Sequence, residues 1–285
     1  MRWFPLFGLA PLLLVAEEPA VGVLASVRGS VTLTYRGGHT AKAHVFDWLK
    51  ARTSIQTDTG ARVLVVLDNG TRYEIGERSR ATLERGTLRI VGGDVRRLSG
   101  LTEIPRLAAI ADTPSSPRGG VVRIRGPKLQ GCYPAANVTI LSSQSMFSFE
   151  PVAEAKAYVV EIENSEGDVI HRAQSFGAPV ILPSGILKPG SRYYWEVRSV
   201  APTADGPQCG AGFSVLPVED ATRRAALRTV IENTGDADSF ALLAEIDRRL
   251  GLLREAREEF ASALKGSSAP EAIRSALQQI ETLMR

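Results

Sequence analysis

The sequence predicts a multi-domain, mainly β protein: an all-β N-terminal unit, a second β-sandwich, and C-terminal α-helical hairpins. Three observations lead there. Short strand-like segments punctuated by Gly, Asn and Pro run from residue 22 to 100 and again from 132 to 217. A Pro-, Ser- and Gly-rich stretch within residues 101–131 has no hydrophobic period and reads as a linker. From residue 218 to 285 the apolar period changes from two to that of a helix.

The chain opens with one arginine, Arg2, ahead of an apolar stretch from Trp3 to Ala16, and Glu17-Glu18 follow at once. That is the pattern of a secretory signal peptide over residues 1–16. The stretch is shorter than the ~20 apolar residues of a spanning helix. The expectation is an exported, periplasmic chain, with an uncleaved membrane anchor as the alternative. A net charge of +3 over 285 residues is too small to imply nucleic acid.

In the N-terminal unit, residues 22–33 read as two short strands meeting at Gly29. Val63–Leu67 is an apolar run, Asp68-Asn69-Gly70 breaks it, and Arg72–Ile75 alternates. Asn-Gly predicts a two-residue type I′ turn, with Asp68 opposite Thr71, Val66 opposite Tyr73 and Leu64 opposite Ile75. Further strands fit at 80–83, 87–91 and 94–98. The layout resembles the FecR-type domain of bacterial envelope proteins across residues 22–100. The resemblance sits in Val27, Gly29, Val31, Leu49, Ile55, Thr57, Gly60-Ala61, Leu67, Asn69-Gly70 and Ile75. Where that family usually has Gly-Asp, this chain has Arg52-Thr53. That departure weakens any inference from the family about a ligand or partner surface at those places.

Basic residues gather at Arg78, Arg80, Arg85, Arg89, Arg96, Arg97, Arg106, Arg118, Arg123, Arg125 and Lys128, opposed by Glu84, Asp94, Glu103 and Asp112. Two readings stand. One is an anion-binding surface, centred on Arg78, Arg80, Arg89, Arg96 and Arg97, for lipid head groups or cell-wall polymer. The other is solvated strand faces in an arginine-rich chain.

After the linker, strands fit at 138–141, 146–149, 157–163, 169–172, 192–197 and 211–216, the spacing of a sandwich. Phe147, Phe149, Ala155, Tyr158, Val160, Leu187, Pro189-Gly190, Tyr193, Trp195 and Val197 resemble a fibronectin type III domain over 132–217. The resemblance implies that the Tyr193 hydroxyl bonds back to the backbone and pins its turn. It also implies that Cys132 and Cys209 lie at the same end of the sandwich. An exported chain with an even cysteine count can join them in a disulfide.

In the tail, Leu243, Ala244, Leu250, Gly251, Ala256 and Phe260 resemble a tetratricopeptide repeat, with helices at 236–250 and 252–265. Flanking helices fit at 218–233 and 270–284. Ala244, Gly251 and Ala256 are small enough for close helix approach, and Phe260 is expected between the helices against Leu243 and Ala244. Asp247 departs from the repeat, where a large apolar residue is usual. Such helices often hold peptides, so Arg248, Arg249, Arg254 and Arg257 are candidates for meeting an acidic envelope protein. Glu255, Glu258 and Glu259 between them equally fit ordinary surface pairs.

No metal-binding or nucleophile motif appears, and His39, His44 and His171 are scattered. The expectation is a non-enzymatic protein without cofactor, metal or catalytic residues. It reads as an envelope adaptor acting through protein contacts or, alternatively, a glycan- or cell-wall-binding protein using the basic β surface. The family's signalling role through the membrane is not carried over, because no spanning helix is read in this sequence.

Overall fold

The computed structural model describes residues 19–102, 104, 129–143, 145–153, 155–200, 206 and 208–284. The expected signal segment and most of the expected linker lie outside these residues, as do Arg106, Arg118, Arg123, Arg125 and Lys128. The architecture is mainly β, in sheets that are antiparallel except where one short strand, Thr139–Ile140, pairs in parallel, followed by four C-terminal helices.

The N-terminal strands are β1 (Ala20–Arg28), β2 (Val31–Thr34), β3 (Thr40–Lys42), β4 (Trp48–Lys50), β5 (Ser54–Thr57), β6 (Arg62–Leu67), β7 (Arg72–Ile75), β8 (Arg80–Glu84), β9 (Thr87–Gly92) and β10 (Val95–Leu98). They form two five-stranded sheets, ordered β10-β7-β6-β1-β4 and β3-β2-β5-β8-β9. Leu24, Leu49, Val63, Val65 and Ile75 of the first sheet pack against Leu33, Ile55, Ala81 and Leu83 of the second. Alternation along each strand sends these residues inward and their neighbours outward.

The β6–β7 hairpin forms, but its register is one residue away from the expected one. Val65 lies opposite Tyr73 and Leu64 opposite Glu74. The Leu67 amide donates to the Thr71 carbonyl (2.9 Å) and the Gly70 amide to the Leu67 carbonyl (2.9 Å). The loop is therefore three residues, Asp68-Asn69-Gly70, and only Gly70 is left-handed, at φ 79°. A three-residue loop closed by such a glycine is the next commonest hairpin connection. Asn69 does not enter the left-handed region, because its side chain is engaged elsewhere. Its Oδ1 accepts from the Thr71 amide (3.0 Å), and its Nδ2 donates to the Gly86 carbonyl (2.9 Å). A one-residue slip turns every side chain of one strand to the other face. Tyr73 and Ile75 thus join Val63, Val65 and Leu67 inside the sandwich, while Leu64 and Val66 face outward.

The second β unit contains β11 (Thr139–Ile140), β12 (Met146–Phe147), β13 (Ala157–Asn164), β14 (Val169–Ser175), β15 (Val180–Ile181), β16 (Arg192–Val200) and β17 (Gln208–Val215). The order β11-β17-β16-β13-β14 makes one sheet, and β12 pairs with β15 opposite it. Phe147 packs edge-on against Trp195 (5.1 Å between centroids) and Phe213 (5.5 Å). The Lys188 amide donates to the Tyr193 hydroxyl at 2.8 Å, which pins the turn entering β16.

Cys132 and Cys209 are bonded, with Cα atoms 6.6 Å apart and a sequence separation of 77. Closing a loop of that length stabilises the folded chain by about 4 kcal/mol in the chain-entropy account. Replacing both cysteines with serine should lower the urea midpoint under oxidising conditions. It should not do so in reductant, where the parent chain has already lost the same link.

The helices are α1 (Val218–Thr234), α2 (Ala237–Arg249), α3 (Leu253–Ala263) and α4 (Pro270–Leu283). Asp236 caps α2, its carboxylate accepting from the Asp238 (3.3 Å) and Ser239 (3.1 Å) amides. Gly251 turns α2 into α3 at φ 78°. A Cβ there would stand 2.8 Å from the Thr139 hydroxyl of the second β unit. Its small size therefore serves contact with that unit rather than the approach of the two helices. The Thr139 amide donates to the Gly251 carbonyl (2.9 Å) at the same point.

The tail is not a separate arm. Val23, Ala25 and Val66, on the outer face of the first N-terminal sheet, form one apolar cluster with Leu227, Ile231, Leu242, Leu243, Ile246 and Leu250. Phe260 is fully buried in a second cluster, which includes Ala244, Ala256 and the core of the second β unit. Its ring meets Phe46 of the N-terminal unit edge-on, at 5.8 Å. Phe46 has φ 70°, an uncommon conformation for a bulky residue. Phe260, expected between the two helices of the repeat, thus also meets the N-terminal unit. The helices hold both β units.

Candidate functional site

The outer faces of the two N-terminal sheets differ. The first carries an apolar strip on β1 and β6 under the helices, beside the charged Arg62, Arg72 and Glu74; the second is mostly polar. At one end of the second sheet, Gln56, Thr57, Asp58, Thr59, Arg78, Ser79 and Arg80 line an open groove of about 530 Å³.

Two loops make the groove walls, and buried hydroxyls tie them together. Thr57 Oγ1 donates to the Gly76 carbonyl (2.6 Å) and accepts from the Ser79 amide (2.9 Å). The Gly60 amide donates to a Glu77 carboxylate oxygen at 2.6 Å. That bond, followed by the neighbouring Arg78, holds the Glu77 carboxyl below its ordinary value. Arg78 itself is left-handed at φ 49°. Its guanidinium is 3.4 Å from Glu77 and its side chain is 73% exposed. Arg80 donates to the Gln56 side chain across the strands. Exposed pairs of this kind leave a guanidinium able to exchange partners with a solution anion.

The structure brings Arg78 and Arg80 together and spreads out the others. Arg89 lies on β9, paired with Glu84 at 3.1 Å. Arg96 and Arg97 are on β10, the edge of the other sheet, with Arg96 held by Asp94 at 3.1 Å. β10 begins against the groove wall, where the Asp94 amide donates to Ser79 Oγ at 2.9 Å.

The four tail arginines do not form one open surface. Arg248 and Arg249 both donate to Glu245 (2.7 and 3.0 Å), and Arg249 also lies over the Trp48 ring of the N-terminal unit, 4.9 Å from its centroid. Arg254 lies 3.7 Å over the Tyr133 ring of the second β unit. These are cation–π contacts at seams within the chain. Arg257 is exposed.

Sequence reading missed a buried ionic cluster. Asp247, fully buried, accepts from Arg224 Nε at 2.8 and 2.9 Å, and Arg224 Nη2 also donates to Glu259 at 3.0 Å. The departure of Asp247 from the repeat was its only trace. Burial, then the charge of Asp247, pushes the Glu259 carboxyl up to about 9. Burial also raises Asp247 and Glu255, against the pull of Arg224.

No family model matches the chain, and no curated protein does. Among solved structures it is similar to CopC from Methylosinus trichosporium OB3b, at 20% identity and a TM-score of 0.26, over 32% of this chain and 94% of that one. It is also similar to the BSP domain of a biofilm associated protein, at 9% identity and a TM-score of 0.21, over 71% of this chain and 28% of that one. No family is assigned. Overlaps this loose carry no argument about fold or activity, so the site rests on its own geometry. Among the described residues, no helix is long and apolar enough to cross a membrane.

Proposed function

We propose that this chain is a non-enzymatic, exported envelope protein that binds an anionic ligand on the basic face of its N-terminal β unit. The observation that carries the reading is the pair Arg78 and Arg80 in one open groove, on the sheet that takes no part in the apolar cluster beneath the helices. Phosphate or carboxylate groups of cell-wall polymer or lipid head groups suit two adjacent guanidiniums. Burial of the tail's apolar face and engagement of Arg248, Arg249 and Arg254 within the chain favour this over an adaptor acting through the tail.

The N-terminal unit belongs in this reading to the FecR-type domains. Its two-sheet sandwich supports this, as does Arg52. The backbone there is left-handed at φ 67°, the conformation glycine takes most readily, at the place where that family usually has Gly. The Tyr193 bond supports a fibronectin type III-like second unit, and the α2–α3 hairpin supports a tetratricopeptide-like tail.

Binding of soluble polyphosphate to the mature chain tests the proposal. Reversing both Arg78 and Arg80 to Glu should weaken it about tenfold or more, or 1.4 kcal/mol. Added salt should weaken the parent in the same direction. An unchanged affinity overturns the groove. If Arg257→Glu alone abolishes capture of an envelope protein, the adaptor reading replaces it.

A further inference from the structure

The groove is one end of a longer surface. Cross-strand pairing sets outward residues of the second sheet in two rows running across the strands. Lys42, Thr32, Gln56 and Arg80 are successive partners on β3, β2, β5 and β8. Thr40, Thr34, Ser54, Thr82 and Arg89 follow beside them, ending on β9. The inward neighbours Leu33, Ile55 and Ala81 are fully buried, so the two rows stand on a fixed floor. The hydroxyls of Thr32, Thr34, Thr40 and Thr82 make no hydrogen bond among the described residues. Each offers one donor and two acceptor lone pairs to a ligand.

Resting on the proposed function above, we infer that this face binds a single extended acidic polysaccharide chain, laid across the strands with one end in the Arg78–Arg80 groove. Adjacent strands are about 4.8 Å apart, comparable to the length of one pyranose residue in an extended chain. Hydroxyls spaced at that step can meet successive sugars. Lys42 at one end of its row and Arg80 at the other supply charge for carboxylate or phosphate groups on the polymer, with Arg89, paired to Glu84 at 3.1 Å, beside Arg80. The rows contain no aromatic ring on which a neutral sugar could stack. Each exposed hydrogen bond contributes little by itself, so recognition depends on several hydroxyls and both charged ends acting together. Asp58 and Glu77 at the groove restrict the anion to the arginine side. A lipid surface is the competing occupant, because Ile90 and Val91 are more than half exposed on the β9 edge.

Calorimetric titration of the mature chain with galacturonate oligomers of increasing length tests the inference. Affinity should rise with each added residue and level off once the oligomer spans the sheet. The uncharged galactose oligomers should bind far more weakly. Thr34→Val with Thr82→Val keeps β-branched side chains in place and should weaken the long oligomer about tenfold, with polyphosphate binding unchanged. Lys42→Glu should act the same way. If the monomer binds as tightly as the oligomers, or the threonine variants bind like the parent, the extended site is wrong while the groove stands. If the oligomers bind and reversal of Arg78 and Arg80 changes nothing, the groove is wrong. If phosphatidylglycerol vesicles bind, and Ile90→Ser with Val91→Ser rather than the threonine variants abolishes that binding, the face is a membrane surface and the inference is overturned.

Discussion

Phe260→Ala should cost about 3–5 kcal/mol and loosen the helices from both β units together. The side chain is fully buried, and the substitution leaves a ring-sized cavity where three parts of the chain meet. Phe46 then loses its edge-on partner while still holding a left-handed backbone. Trp48 reports on the seam with the N-terminal unit, and Trp195, buried in the second β unit, emits alongside it. The Trp48 indole donates to Glu245 of α2 at 3.4 Å, and Arg249 covers its ring. Urea unfolding followed by tryptophan emission and by helical circular dichroism should show both signals moving to lower urea. Domains usually have only ~5–15 kcal/mol in reserve, so the shift should be large. Unchanged tryptophan emission, with loss of helicity alone, would mean that the tail folds independently of the N-terminal unit.

Removing Arg224 should have a comparable effect, dependent on pH. Arg224 is the cation that faces Asp247 from α2 and Glu259 from α3, with Arg228 3.6 Å from Glu259 as a second and more exposed one. Breaking a buried pair by deleting one partner typically costs about 3–5 kcal/mol. In the parent chain, Glu259 holds its proton in the folded state up to about pH 9, against an ordinary value of 4.5. The folded state binds that proton more tightly than the unfolded state. The resulting stability is fully present below about pH 4.5 and is lost as pH rises towards 9. The raised Asp247 and Glu255 act in the same direction. Arg224→Met should therefore destabilise strongly at pH 8 and less at pH 5, where the buried carboxyls left without their cation can protonate. Glu259→Gln, which keeps the shape without the charge, should raise stability at pH 8 and flatten its pH dependence. Parallel stability profiles for the parent chain and Glu259→Gln between pH 5 and 8 would show that Glu259 does not carry the dependence.

Local pattern shows much of this fold, and long-range pairing accounts for the rest. The β6–β7 hairpin is legible in Asp68-Asn69-Gly70, but its register is not. That register depends on Asn69 reaching Gly86 and on Leu101 donating to the Gly70 carbonyl at 2.8 Å. The consecutive apolar residues of β6 indicate burial on both faces; only the assembled structure shows that helices over 150 residues later cover one of them. Asp247 is visible as a misfit in an apolar stripe, while Arg224, its partner, lies 23 residues away on another helix. The basic residues are visible as a run. The order of strands decides that Arg78 and Arg80 share a groove while Arg96 and Arg97 fall on another sheet. Thr34 and Thr82, with no charge to draw attention, gain meaning only from their places across β5.

The seam between the first strand and the last helices also bears on the order of folding. Ser26 and Ser268 touch at 3.2 Å across 242 residues of sequence. Synthesis delivers the N-terminal sheet first, with Val23, Leu64 and Val66 uncovered. Its natural cover is made last. Contacts this distant in sequence slow folding, and apolar surface that waits for its cover invites association between nascent chains. A chain that stops before α2 would keep every residue of its N-terminal sandwich core and still present an adhesive face. The C-terminal helices thus close an apolar face that the unit made before them leaves open.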